Sequence, residues 1–534
     1  MERRRQSVDV VVVGAGFAGL YMMHRARSAG FSVHCIEAGA GVGGTWFWNR
    51  YPGARCDVPS LEYSYEFDEQ LQQEWNWSEK YATQPEILRY IEHVAQRFDL
   101  LRDITFDARV TAADFDASTS RWNVTTDSGG LLTCQYLVMA TGCLSSPNVP
   151  QLPREADFAG KVYHTGSWPR EGVDFTGQRV AVIGTGSSGV QSIPIIAHQA
   201  KHLTVLQRTP TYSVPAHNAP LDASYVQSVK NDYRQFRQKN RLTRAALGGD
   251  TPTGATGAAA TPDHERQAIF EQRWQRGGLV FQGAFNDTLT NRESNELFAD
   301  FVRSKIASIV TDQTTARALM PKNIFGCKRL CVDTGYYETF NRDNVKLVDL
   351  NDHPLEGFTA NGLMVGSQEL PVDAVVFATG FDAMTGALNK IDITGRNGQT
   401  LREAWSAGPV NYLGLGVNGF PNLFTITGPG SPSVLTNMLV SIQHHVEWIT
   451  ECFSFLRKQQ HTTIEVTQGA QEAWVQHVNS VAGATLYQSC NSWYLGANIP
   501  GKPRLFMPLP GFPNYVEKCS KVAAANYEGF LLSR

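Results

Sequence analysis

The chain writes one glycine pattern twice, each time where a strand-like run gives way to a helix-like one. Gly14-Ala15-Gly16-Phe17-Ala18-Gly19 follows the largely apolar run Val8 to Val13, and Gly184-Thr185-Gly186-Ser187-Ser188-Gly189 follows Arg179 to Ile183. In a G-x-G-x-x-G turn the first glycine makes the bend and the second lets a pyrophosphate reach the backbone. The third lets helix and strand pack closely. A lone copy says little, because glycine is common. Two copies in the required context predict two dinucleotide sites and a transfer of electrons between them. The fold class that holds both is α/β, with two Rossmann-like parallel sheets covered by helices.

The strand after each turn distinguishes the two sites. Phe31-Ser32-Val33-His34-Cys35-Ile36-Glu37 ends in a carboxylate about 20 residues past the glycines, where an acid accepts hydrogen bonds from a ribose diol. The corresponding run from His202 ends in Gln207-Arg208-Thr209, without an acid. A carboxylate there would repel a ribose 2′-phosphate, whereas a guanidinium forks onto it. The first site therefore reads as FAD and the second as NADPH.

At 534 residues the chain is long enough for more than one domain. A formal net charge of −3 and the lack of a basic tract argue against nucleic-acid or anionic-membrane partners. No stretch has the length of a transmembrane helix. Met1 to Arg5 and the valines beyond faintly imitate an export signal, but Asp9 and Gly14 mark that run as the first strand of a fold. The nine cysteines are scattered and include no Cys-x-x-Cys, so reduced thiols and a cytoplasmic location are expected.

Tyr136 to Gly142 and Asp373 to Gly380 are near copies, each a buried strand ending in a Thr-Gly turn. They predict a split arrangement in which each such strand closes one nucleotide unit. The FAD domain would comprise residues 1–145 and 376–534, and the NADPH domain 146–220 and 326–375. A helical insertion would span 221–325, with helix-prone segments at 225–242, 262–276 and 295–308. The Gly/Ala/Thr/Pro-rich patch from Gly248 to Pro262 reads as a mobile loop.

Between the two nucleotide units lies Phe158-Ala159-Gly160-Lys161-Val162-Tyr163-His164-Thr165-Gly166-Ser167-Trp168-Pro169, an F-x-G-x-x-x-H-x-x-x-W-P pattern. Gly43-Gly44-Thr45-Trp46 and Tyr51-Pro52-Gly53-Ala54-Arg55-Cys56-Asp57 precede it. Together these resemble the type I Baeyer–Villiger monooxygenases. The resemblance extends over essentially the whole chain, through Phe325 to Arg329, Tyr336 to Glu338, Asn341 to Asn344 and Ser492 to Asn498. Gly428 to Met438 is similar to the longer substrate loop of the phenylacetone-oxidising branch, whereas Met507-Pro508-Leu509-Pro510 departs from the family pattern.

The resemblance implies that NADPH reduces FAD, which captures O₂ as a C4a-peroxide and inserts oxygen beside a ketone carbonyl to give an ester or lactone. Sulfoxidation would be a side activity, the partners a small ketone and O₂, and the enzyme a monomer or weak oligomer. It further implies catalytic roles for Arg329, a cation that is never deprotonated in practice, and for Asp57 as its carboxylate partner. FAD would meet Gly14, Gly16, Phe17, Gly19, Glu37, Thr45, Trp46, Phe47, Trp48, Asp57, Tyr63, Val110 and Met438. NADP would meet Arg55, Asp57, Gly184, Thr185, Gly186, Ser187, Ser188, Gly189, Gln191, Arg208, Thr209, Lys328, Arg329 and Trp493. His164 and Trp168, in the linker, would carry a conformational role. The rival is a flavin monooxygenase that oxidises nitrogen or sulfur, whose linker ends without Trp-Pro. A disulfide reductase is disfavoured by the absent Cys-x-x-Cys, and a non-enzymatic NADPH-binding module would not need Asp57 and Arg329 together.

Overall fold

Val10, Val11 and Val12 are wholly buried in the strand Gln6–Val13, as a central parallel strand requires when helices cover both its faces. This strand runs parallel to Val33–Ile36 on one side and Leu131–Met139 on the other, with Val12 opposite Cys35 and Val138. Leu423–Thr425 continues the sheet beyond the far end of Leu131–Met139, and Ile104–Thr105 continues it beyond Val33–Ile36. An antiparallel ribbon of Val110–Asp116 and Arg121–Thr126 ends on Asp392–Thr394. A second sheet is wholly parallel, in the order Val345–Asp349, His202–Gln207, Arg179–Ile183, Ala374–Phe377, Lys161–His164. These relations come from a computed structural model that describes residues 6–503 and 511–534. Met1 to Arg5 and Met507 to Pro510 lie outside the described residues.

The first sheet thus draws its strands from both ends of the chain and the second from the middle, so the chain crosses between them twice. The crossings run side by side: Asn148 N donates to Gly380 O at 2.9 Å, Asp382 N to Ser146 O at 2.8 Å, and Thr379 Oγ1 to Asn148 O at 2.6 Å. The expected boundary between residues 375 and 376 needs correction. It falls inside Ala374–Phe377, whose partners are all in the second sheet, so that sheet's share of the chain extends to Phe377.

Between Ser213–Pro215 and Cys331–Asp333 the chain has helices and no strand. The helix-prone segment at 225–242 forms two helices, Ala223–Asn231 and Tyr233–Arg241. Asp232 breaks it, because its carboxylate accepts the Gln235 N–H and so caps the second helix. The patch from Gly248 to Pro262, expected as a mobile loop, is tied to its surroundings by hydrogen bonds along its length. Gly249 N donates to Asn240 Oδ1 at 2.7 Å, Gly254 N to Gly283 O at 2.9 Å and Ala258 N to Asp287 Oδ1 at 3.0 Å, and Ala258 is fully buried. Its small residues allow close backbone packing, a property that composition alone mistakes for looseness. No helix among the described residues is long and apolar enough to cross a membrane.

One of these tethers carries a pH dependence. Gly248 N donates to the buried Glu62 Oε2 at 2.8 Å, and burial pushes the Glu62 carboxyl up from 4.5 to about 7 despite that bond and the nearby Arg237. A carboxyl raised on folding is bound to its proton more tightly in the native state, so stability falls as pH rises from about 4.5 through about 7. The swing is on the order of 3 kcal/mol at most. Glu62→Gln is expected to flatten the thermal midpoint between pH 5 and pH 8. An unchanged slope in thermal melts across that range would refute this.

Candidate active site

A cleft of about 1500 Å³ runs past both glycine turns. Gly14 has φ +103°, and a Cβ there would lie 2.7 Å from Ala140 O; Gly184, at φ +106°, would meet Ala378 O in the same way. Each turn therefore lies tight against the end of a strand in its own sheet. The helices that follow, Phe17–Ser28 and Ser187–Gln199, have neither a side-chain cap nor an acid in their first turn. Around Gly186 nothing lies within 4 Å of where a Cβ would be. Free N–H groups, a positive helix end and open space form the cradle that a pyrophosphate needs. At the first turn, Glu37 lines the cleft with each carboxylate oxygen accepting one backbone N–H, from Ala15 and Gly39, both at 2.7 Å. Burial raises its carboxyl against those two bonds, while lone pairs remain on both oxygens for a ribose diol. The residues present fit an FAD at the first turn.

Deeper in the cleft, Arg329 precedes the short strand Cys331–Asp333, which pairs with Ser213–Pro215. Asp57 arrives from the opposite side, on the loop after Tyr51. Arg329 grips it with two parallel bonds, Nε to Oδ2 at 2.5 Å and Nη2 to Oδ1 at 2.8 Å, and Nη1 donates to Val434 O at 2.7 Å. Both side chains are about one-fifth exposed, at 21% and 20%. Burial by itself would weaken the guanidinium's hold on its proton, but the touching Asp57 carboxylate outweighs it and keeps Arg329 well above its usual range. The buried Tyr494 hydroxyl also faces Arg329; burial pushes that phenol up to about 12 although the guanidinium opposes the shift.

At the second turn, Lys328 and Arg208 both line the cleft. Burial and then the like charge of Arg208 hold the Lys328 ammonium below its ordinary value. Among the described residues neither cation forms a salt bridge with a carboxylate, so an anion is the natural complement. Thr185 Oγ1 donates to Thr209 O at 3.0 Å, tying the turn to the strand end that carries Arg208. This arrangement fits a dinucleotide that bears an additional phosphate.

Residues 11–243 match a family model described as pyridine nucleotide-disulphide oxidoreductase. A Baeyer–Villiger monooxygenase of Pseudooceanicola batsensis is 42% identical over 531 residues, covering 98% of this chain and 96% of that one. A phenazine N-monooxygenase of Lysobacter antibioticus is 40% identical over 529 residues, covering 98% and 97%. Among solved structures, a steroid monooxygenase bound to NADP superposes with a TM-score of 0.95 at 49% identity, covering 99% of this chain and all of that one. A complex of OTEMO with FAD and NADP gives 0.95 at 39%, with the same coverage. The chain belongs to the Baeyer–Villiger monooxygenase family.

Within this family member the cleft gathers most of the expected residues. Of those expected for FAD, Gly14, Gly16, Phe17, Glu37, Thr45, Trp46, Trp48, Asp57, Tyr63, Val110 and Met438 line it, as do Arg55, Gly184 to Ser188, Gln191, Arg208, Thr209, Lys328, Arg329 and Trp493 of those expected for NADP. Gly19 and Gly189 sit behind the turns, where a Cβ would collide with Gly14 O and Gly184 O, and serve packing. Phe47 is set apart from these residues. Its ring does not line the cleft but packs beneath Gly39 and Gly41, with the guanidinium of Arg50 5.0 Å from its centroid and that of Arg170 4.7 Å away. The Arg55 guanidinium is held by Glu79 at 3.2 Å, while its backbone carbonyl accepts from Gln191 Nε2 at 3.1 Å across the cleft.

His164 stands outside the cleft. Its Nδ1 accepts the Gly166 N–H at 2.9 Å, so Nε2 carries the proton, 3.3 Å from Asn148 O and 3.2 Å from Thr379 Oγ1. Burial lowers its pKa. It is a neutral crosslink on the two chain crossings rather than an acid or base at the site. Trp168 is buried between Tyr163 and Phe175.

Sequence reasoning missed the Val434 carbonyl and Tyr494: both lie in stretches that resemble the family, but the resemblance assigned neither of them a role at Arg329. The expectation that all cysteines are reduced also fails: Cys327 and Cys490 form a disulfide across 163 residues, and seven cysteines are free and buried. Spacing rules look for neighbours in sequence, and this pair is adjacent only in the fold.

Proposed function

We propose that this enzyme uses resident FAD, incoming NADPH and O₂ to insert one oxygen atom beside the carbonyl of a small ketone, releasing an ester or lactone. The observation that carries the reading is the Arg329–Asp57 pair, a locked guanidinium in the cleft between the two glycine turns. Bound flavin, once reduced by the nicotinamide, supplies the activation of O₂. The chain's own residues supply the rest. Arg329 presents a positive charge that cannot release its proton, so it stabilises negative charge on the oxygen delivered to the carbonyl without quenching it. Asp57 fixes the plane of that guanidinium, and the Val434 carbonyl fixes its free end. Lys328, Arg208 and Thr209 receive the 2′-phosphate, and Gln191 ties the NADPH helix to the Arg55 loop. Trp493 covers the cleft and limits entry of water. Neutral His164 carries no proton in the reaction and couples the two domains.

A second reading has one observation in its favour: a relative of comparable identity is named for oxidation at a phenazine nitrogen. Incubating the holoenzyme with panels of ketones, sulfides and N-heterocycles, and weighing the products by mass spectrometry, separates the two. Ketone products one oxygen atom heavier support the proposal, and sulfoxides beside them are the expected side activity. N-oxides or sulfoxides alone would favour the second reading.

A further inference from the structure

The disulfide joins the two segments that carry the cleft's most consequential side chains. Cys327 lies two residues before Arg329, and Cys490 three residues before Trp493. Their Cα atoms are 5.6 Å apart, and both sulfurs are buried in a small apolar cluster with Cys143, Val434, Tyr487 and Tyr494. Farther along, the same segment is fastened again. Asn498 Nδ2 donates to Phe381 O at 2.8 Å, and Lys502 Nζ donates to Ala383 O at 2.6 Å and pairs with Asp382. The chain from 490 to 502 is therefore held at both ends, with the turn Trp493–Leu495 between the two anchors. From that turn Trp493 faces the cleft and Tyr494 faces Arg329.

The two anchors differ in strength. The distal one is a non-covalent set, an ion pair between the largely buried Lys502 and the partly exposed Asp382 with two hydrogen bonds to carbonyls. The proximal one is covalent. A covalent link from Cys490 to the residue beside Lys328 fixes the register of the turn to the catalytic arginine, whatever the distal anchor does.

We propose that the Cys327–Cys490 disulfide is the positioning device that holds Trp493 and Tyr494 against Arg329, and that opening it with a thiol reductant uncouples NADPH oxidation from ester formation. The inference rests on the ester-forming reading above. Opening consumes one dithiol: two electrons and two protons pass to the sulfurs, leaving Cys327 and Cys490 as thiols and the dithiol as a cyclic disulfide. With the turn released, water enters the site that Trp493 covered. NADPH, a proton and O₂ then leave as NADP⁺ and hydrogen peroxide, and the ketone is left unchanged.

The test uses the air-purified holoenzyme, the same enzyme treated with dithiothreitol, and the variants Cys490→Ser and Cys327→Ala. Mass mapping under non-reducing conditions establishes the bridge. Hydrogen–deuterium exchange of the 490–502 peptide with NADP⁺ present reads the position of the turn, and ester formed per NADPH reads the coupling. In the opened forms exchange in that peptide should rise, and coupling should fall by about tenfold with matching peroxide release, while flavin content stays level. Absence of the bridge, or equal exchange and equal coupling in closed and opened enzyme, would overturn the proposal. Should a variant fail to fold, the reductant-treated wild type decides. If the closed enzyme forms no ester from any ketone, the functional reading falls, and the exchange measurement still judges the strap by itself.

Discussion

Arg329→Ala is expected to lower ester formation by about a thousandfold while the protein still binds FAD and consumes NADPH. Removing one preorganised donor from an anion-stabilising site costs a hundred- to a thousandfold, roughly 3–4 kcal/mol, and this donor also carries a full charge. The consumed NADPH should reappear as hydrogen peroxide. Arg329→Lys should not rescue the loss. An ammonium cannot span both Asp57 oxygens and the Val434 carbonyl, as the guanidinium does with Nε, Nη1 and Nη2. Product analysis by mass, beside a peroxide assay and anaerobic bleaching of the flavin, checks all three statements. Ester formation at the wild-type rate in Arg329→Ala would remove the arginine from the mechanism. Because the substitution leaves Asp57 largely buried without its partner, the double variant Arg329→Ala/Asp57→Asn separates lost chemistry from lost stability.

The second large effect concerns the choice between NADPH and NADH. Lys328 and Arg208 line one end of the cleft as two cations, and the charge of Arg208 disfavours the charged form of Lys328. A bound 2′-phosphate relieves that repulsion. Each charge-assisted contact contributes roughly 1.5–3 kcal/mol, so Lys328→Ala or Arg208→Ala should raise the KM for NADPH by about ten- to a hundredfold. The KM for NADH should barely move, since NADH offers no phosphate there. Removing both side chains should cost less than the sum of the two single effects, because the first removal already relieves the repulsion. Steady-state kinetics with both nucleotides provide the measurement. Equal losses for NADPH and NADH would show that the pair shapes the cleft rather than reading the phosphate.

Both nucleotide turns were legible in the sequence because each glycine serves a local geometric need: a bend, an approach, a close packing. Glu37 was legible for the same reason, since it ends the strand that follows the turn, and so was the pairing of Asp57 with Arg329 once the linker had pointed to a family. What escaped depends on tertiary neighbours. Phe47 stands inside a family motif, yet its ring turns away from the cleft to lie between Arg50 and Arg170. The glycine-rich patch at 248–262 has the composition of a loose loop, but its amides find partners on Glu62, Asn240, Gly283 and Asp287. The Asp232 break lies within a helix-prone polar run whose composition does not show where one helix ends and the next is capped. The Cys327–Cys490 bridge joins residues with no relation in sequence.

The paired crossings at 146–148 and 380–382 have a mechanical consequence. One tether between two bodies lets them bend, twist and slide. Two tethers laced together by amide bonds, and pinned by His164 to the edge strand of one body, behave like the knuckles of a door hinge. Such a pair is expected to resist twist and slide more than a swing about the line that joins the two. A nicotinamide carried on the second body would therefore travel along one arc past the flavin, meeting it at the same point on every cycle.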